Sequence, residues 1–339
     1  LISKNDEWAA FEAKTGVEAE KLVSNLKGGY VRDAYLRGLT LAERGLTNPF
    51  KFGLIGSSDS HVGGPSDSEE FFFSKVGLLD GTAELRGSIP FNRFYGTFLK
   101  VLRPNMLKEI DGKTYFSASD RLIQFAASGL AGVWAEENTR EAIYDALKRK
   151  ETFATSGPRM KVRFFAGYDL ENSKLDDLSL IQDAYRSSIP MGGTLNISAN
   201  KNPKFLVWAI ADPVGAPLQR TQIIKGWLED GEHKEKVFDI ACSDGLSVDP
   251  ETYRCPDNNA WVDLSNCSIS ADSGAREMKV FWQDPEFIKN QGAFYYSRVL
   301  ENPVCRWSTW DSVRNGQKPR SDIPATIQER VWSSPIWFK

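Results

Sequence analysis

One change of rhythm divides the chain. Up to about residue 165, apolar residues recur at helical spacing between short apolar runs. Beyond about 166 that period disappears, and the segments 204–211, 222–228, 236–240, 277–282 and 294–300 are strand-length runs bounded by Gly, Pro, Asp and Asn. Strands that follow one another without intervening helices must bury their apolar faces against a second sheet, so residues 166–339 read as an antiparallel β-sandwich. Asp230-Gly231, between two such runs, is the dipeptide of a tight hairpin, whose central residues both need positive φ.

The earlier part has a different grammar. Ala19, Leu22, Val23 and Leu26 make an amphipathic stripe that Gly28-Gly29 stops, and Val31, Ala34, Tyr35, Leu39 and Ala42 repeat it before Gly45. Asn48-Pro49 breaks the helix, and residues 50–56 form a short apolar run expected as a buried strand that empties into Ser57-Ser58-Asp59-Ser60-His61. A second short strand is expected at 131–135. It leads to a helix with Asn138 as N-cap, Glu141 three residues later, and Lys148-Arg149-Lys150 at its negative end. Residues 63–120, punctuated by Gly and Ser, read as an insertion. The expected organisation is therefore α/β plus all-β: an α/β part over 1–165 with an insertion at about 63–120, then the sandwich over 166–339.

Charge and histidine content exclude several functions. With 42 Lys+Arg against 45 Asp+Glu, the basic residues scattered among acids, no surface for a phosphate polymer is expected and nucleic acid is not a partner. The longest apolar runs, such as 205–210, are far short of the roughly 18 residues a membrane span requires. Only His61 and His233 are present, so a centre needing three imidazoles cannot be built from this chain alone. Cys242, Cys255, Cys267 and Cys305 include no C-x-x-C pair. They read as disulfides of an oxidising compartment in any of three pairings, or as buried free thiols. The chain opens on Leu1 without a charged-then-apolar leader, which reads as a piece of a longer product.

Asp59 and His61 are the leading chemical candidates. Residues i and i+2 of an extended segment point to one side, and a carboxylate with an imidazole suits zinc, manganese or iron. The plain alternative is a turn-forming Asp59 beside a solvated His61. His233, among charges at the expected hairpin, reads as exposed. The segment Thr155-Ser156-Gly157-Pro158-Arg159 could offer hydroxyls and a guanidinium to an anion, or Arg159 could pair with a neighbouring acid; Arg140, at a helix start, has the same two readings. Trp307, Trp310, Trp332 and Trp337 read as sandwich core in preference to a glycan-stacking face.

Longer strings add a resemblance. Residues 48–61 with their Gly-Ser-Ser-Asp-Ser-His ending, residues 133–143 (Val-Trp-Ala-Glu-Glu-Asn-Thr-Arg-Glu-Ala-Ile), residues 154–159 and the close at 329–338 together resemble the carboxyl-terminal part of domain-of-unknown-function family 3604. That family is similar to the polymerase-and-histidinol-phosphatase (PHP) metal-dependent hydrolases. The resemblance implies a partial distorted (β/α) barrel with divalent metals at its strand ends, followed by a β-sandwich. Asp59 and His61 match the Asp-x-His that ends the last barrel strand, implying metal-ligand and catalytic roles. It also implies a hydrolase of phosphoesterase type using metal-activated water. Arg140 or Arg159 would contact a small anionic substrate, in a periplasmic or secreted protein. The earlier histidine motifs have no counterpart here, so the remaining ligands are expected from an amino-terminal portion of the same gene product. Cys305 stands where a proline is expected before Arg306-Trp307. The rival reading is a non-catalytic secreted β-sandwich module that binds glycan or a protein partner.

Overall fold

The computed structural model describes residues 30–58, 60–116, 125–170, 175–198 and 200–339. The helix expected over residues 19–26 lies outside them. Helix α1 (Val31–Glu43) forms where the second stripe predicts and ends at Arg44 and Gly45, the glycine at φ +73°. The insertion holds two short helices, α2 (Ala83–Arg86) and α3 (Arg93–Leu102), and a hairpin of β1 (Leu107–Ile110) and β2 (Lys113–Phe116). Then come β3 (Ala131–Val133), α4 (Arg140–Arg149), β4 (Thr152–Thr155), β5 (Lys161–Gly167), α5 (Leu180–Ser187), β6 (Ile189–Pro190) and β7 (Thr194–Leu195). The long strands follow: β8 (Lys204–Ile210), β9 (Leu218–Glu229), β10 (Glu232–Cys242), β11 (Glu277–Gln283) and β12 (Ala293–Glu301). The chain closes with β13 (Val304–Cys305), α6 (Trp307–Arg314), β14 (Thr326–Ile327), β15 (Arg330–Ser333) and β16 (Ile336–Phe338).

Two sheets carry the molecule. The larger, of eight strands, runs β10-β9-β12-β15-β4-β3, with β16 also bonded to β12 and β7 lying parallel to β16. The smaller runs β11-β8-β5-β6. Strands from both sides of residue 165 share the larger sheet, because β4 pairs antiparallel with β15. Among the described residues the sheets are open and none closes into a barrel.

Alternation explains the layering. In β12 every residue is buried. Ala293, Tyr295 and Val299 point into the core shared with Val162, Phe164, Phe205 and Val207 of the smaller sheet. Phe294 and Tyr296 point the other way, against Tyr35, Leu36 and Leu39 of α1. Phe165 and Leu206 leave the opposite face of the smaller sheet and pack under Leu180 and Ala184 of α5. The order of layers is thus helix, sheet, sheet, helix, a mixed α/β arrangement in which both sheets are covered on both faces.

Local details agree with the sequence in places and correct it in others. The Asp230-Gly231 hairpin forms with both residues at positive φ, 52° and 77°, joining β9 to β10. The cap of α4 is Thr139, not Asn138: its hydroxyl accepts from the Ala142 N–H at 3.3 Å. Among the described residues, 50–56 belong to no ladder; Leu54 N–H donates to Ser334 Oγ at 2.8 Å and Gly56 N–H to the Leu130 carbonyl at 3.1 Å, and Ile55 is 60% exposed. The four cysteines form Cys242–Cys255 and Cys267–Cys305, which removes the free-thiol alternative. Among the described residues no helix is long and apolar enough to cross a membrane.

Candidate functional site

The extended segment 50–58 delivers the chain to a polar loop that holds itself in shape. Ser60 N–H donates to Ser58 Oγ at 3.0 Å, His61 N–H to the Lys75 carbonyl at 2.8 Å, and Lys75 Nζ to the Ser58 carbonyl at 2.7 Å. Serine hydroxyls bonding two residues ahead make this a series of short side-chain turns. The His61 side chain is exposed. Asp59 lies outside the described residues. Among those described, no three His, Cys, Asp or Glu side chains stand where they could hold a metal ion.

The other sequence candidates separate. Arg140 opens α4 on the exposed surface. Arg159 lies with acids: its N–H donates to Asp212 Oδ2 at 2.7 Å, and its Nε is 3.6 Å from Asp67 and 3.7 Å from Asp212. Its side chain is nonetheless 65% exposed, at the rim of the cavity described below. Ser156 is engaged, its hydroxyl donating to Glu329 and accepting from Arg330 N–H. His233 is not a free surface residue; its Nε2 is 2.8 Å from Thr40 Oγ1, because α1 docks over the β9–β10 hairpin. Trp307 and Trp337 are buried, Trp332 packs against the α1-side core, and Trp310 lines the cavity.

That cavity, about 460 Å³, opens at the end of the stacked sheets where β5 and β9 begin and β8 and β12 finish. Among the described residues, six acidic ones line it against Arg159 as the basic one. Two of the acids are fully satisfied: Glu69 accepts from the Ala127 and Trp307 N–H groups, and Asp212 from those of Arg159 and Val214. Glu301 and Glu329 are different. Each is 1% exposed, and among the described residues neither Glu301 Oε2 nor Glu329 Oε1 has a hydrogen-bond partner. Burial, with Glu329 and Asp212 nearby, pushes the Glu301 carboxyl well above the ordinary glutamate range. Burial and then Glu69 push Glu329 up to about 8, against the pull of Ser156, Arg330 and Arg306. The Cys267–Cys305 bridge forms part of the wall.

Sequence reasoning missed this cluster. Glu69, Asp212, Glu301 and Glu329 come from a loop, a strand connection, a strand end and the approach to a strand. Each alone reads as a solvated terminus. No local signal sets Glu301 apart, since it closes an apolar strand and runs straight into the turn residues Asn302-Pro303.

Fold and site together define a disulfide-clipped mixed α/β protein of stacked open sheets with an acid-lined cavity at one end. The chain belongs to the protein-of-unknown-function family DUF3604, whose model matches residues 1–339. No match was found among curated proteins or among solved structures.

Proposed function

We propose that this chain contributes Asp59 and His61 to a divalent-metal hydrolase centre of phosphoesterase type. The observation that carries the reading is His61: an exposed imidazole that makes no hydrogen bond among the described residues, on an Asp-x-His turn whose backbone is tied to Lys75 and Ser58. A ligand histidine needs a fixed main chain and a free ring nitrogen. The described side chains do not complete a metal site by themselves. The reading therefore requires Asp59 and further donors from an amino-terminal portion of the same gene product, and zinc, manganese and iron all suit such donors.

On this reading residues 1–165 belong to a PHP-like barrel and 166–339 to a β-sandwich. Two further features support it. Phe52 and Ile55 stand exposed on an extended segment without a ladder, as a barrel strand would when its neighbour is elsewhere. The two disulfides fit a periplasmic or secreted protein. Arg140, exposed on α4, is free to meet a small anionic substrate, whereas Arg159 would first have to leave its acids. The glycan-binding alternative is weakened by the burial of Trp307 and Trp337, two of the four tryptophans that a stacking face could have used.

The test is elemental analysis of the full-length product with phosphatase and carboxylesterase assays, with and without chelator. Expected are bound metal and chelator-sensitive turnover, both lost in Asp59→Ala and His61→Ala. Metal-free, chelator-insensitive protein would overturn the proposal, and an Asp59→Ala variant that keeps full metal would overturn the ligand assignment.

A further inference from the structure

We infer that the acid-lined cavity is a binding site for an organic ammonium ion, an aliphatic primary amine whose head sits between Glu301 and Glu329. The inference is independent of the Asp59–His61 reading, since it uses other residues and another part of the fold. It begins from unmet hydrogen-bonding capacity. A buried carboxyl oxygen without a donor is destabilising, and native proteins rarely keep one. Here two such atoms, Glu301 Oε2 and Glu329 Oε1, belong to side chains that line the same cavity, and the Glu329 charge acts on Glu301. What they lack is a donor, and turning either carboxyl toward the cavity that its side chain lines would bring one within reach.

The chemistry of that donor follows from the surroundings. An anion is disfavoured, because Arg159 at the rim already lies between Asp67 and Asp212. A metal ion would need a third ligating group, but Glu69 and Asp212 already accept backbone N–H groups, and among the described residues no third side chain converges with the pair. A primary ammonium brings three donors and a charge on a narrow stem. Phe71, Ile269, Val304 and Trp310 supply apolar wall for that stem.

The neighbouring charges set the pH dependence. Glu301 faces Glu329, Asp212 and Arg276; Glu329 faces Glu69, Arg330 and Arg306. With the acids held protonated by burial, an arriving ammonium takes the place of a proton. Binding therefore releases protons and tightens as pH rises through about 8, the range where Glu329 gives up its own.

The experiment is calorimetric titration of the intact, oxidised chain with n-butylammonium chloride at pH 7 and pH 8.5. n-Butanol, tetramethylammonium, and calcium or manganese chloride alone serve as comparison probes. Expected are saturable one-to-one binding of butylammonium, roughly fivefold or more tighter at the higher pH, with protons released in buffers of different ionisation enthalpy. Glu301→Gln and Glu329→Gln, near-isosteres of the protonated acids, should each weaken binding at least about tenfold. Val214→Trp, at a rim position 83% exposed and hence harmless to folding, should block entry. No binding by the wild-type chain, equal binding of n-butanol or tetramethylammonium, or undiminished binding by both Gln variants and Val214→Trp overturns the proposal. So does competition for the cavity by calcium or manganese, which would make it a metal site.

Discussion

The effect of cutting the Cys267–Cys305 bridge can be worked out from loop length. The bridge closes a loop with a sequence separation of 38, enclosing β11 and β12, whereas Cys242–Cys255 closes one of 13. Loop closure removes unfolded-state entropy as 1.5R ln n plus a constant, about 4 kcal/mol at 25 °C for the longer loop and about 3 for the shorter. Because Cys305 is 1% exposed, the substitution should be Cys305→Ala with Cys267→Ala; serine would add a buried hydroxyl without an assured partner. Urea unfolding followed by tryptophan fluorescence should show a loss of about 4 kcal/mol for this pair and about 1 kcal/mol less for the Cys242→Ala/Cys255→Ala pair. A steeper denaturant dependence should accompany both, since the released chain exposes more surface on unfolding. Hydrogen exchange should rise first around β13 and the start of α6, which the bridge anchors. A loss below about 1 kcal/mol for the longer clip, or a larger loss for the shorter one, would refute the closure argument.

Other perturbations probe the core and the buried acids. Lys225 Nζ lies 2.7 Å from Asp284 Oδ2 inside the molecule, and Tyr295 donates to the same oxygen, so Lys225→Met should cost about 3–5 kcal/mol. Adding Asp284→Leu should recover much of that loss; failure of the double variant to recover in urea titrations would refute the ion-pair account. Gly226 faces Phe294 across the β9–β12 ladder, and a Cβ there would come within 2.2 Å of the ring, so Gly226→Ala should destabilise by about 1–3 kcal/mol by displacing Phe294. A neutral result in thermal unfolding would show that the ring moves freely. Folded protein holds the Glu329 proton up to about 8, while the unfolded chain releases it near 4.5. Between those values the unfolded state binds fewer protons, so stability falls as pH rises, and it levels off above about 8. Glu329→Gln should flatten that slope, and an unchanged pH–stability profile would exclude Glu329 as its source.

Legibility followed the range of the interaction. The α1 stripe, the Asp230-Gly231 turn and the strands at 204–210, 222–228, 236–240, 277–282 and 294–300 were readable because periodicity and turn conformation are set within a few residues. His233 was misread because the helix that covers it lies 193 residues earlier. Residues 50–56 have the composition of a strand, yet a strand also needs a neighbour to bond. Among the described residues, the chain offers it Ser334 Oγ and the Leu130 carbonyl in place of a ladder.

By itself the sequence determined the two rhythms and the hairpin, both of them consequences of local backbone preference and of residue type. Tertiary structure alone decided which cysteines pair, that β4 joins the strands of the later half, and that Glu301 and Glu329 share one cavity. The physical reason is that burial and charge proximity are properties of space: two glutamates 28 positions apart acquire raised pKa values only when β12 and β15 lie side by side and water is excluded between them.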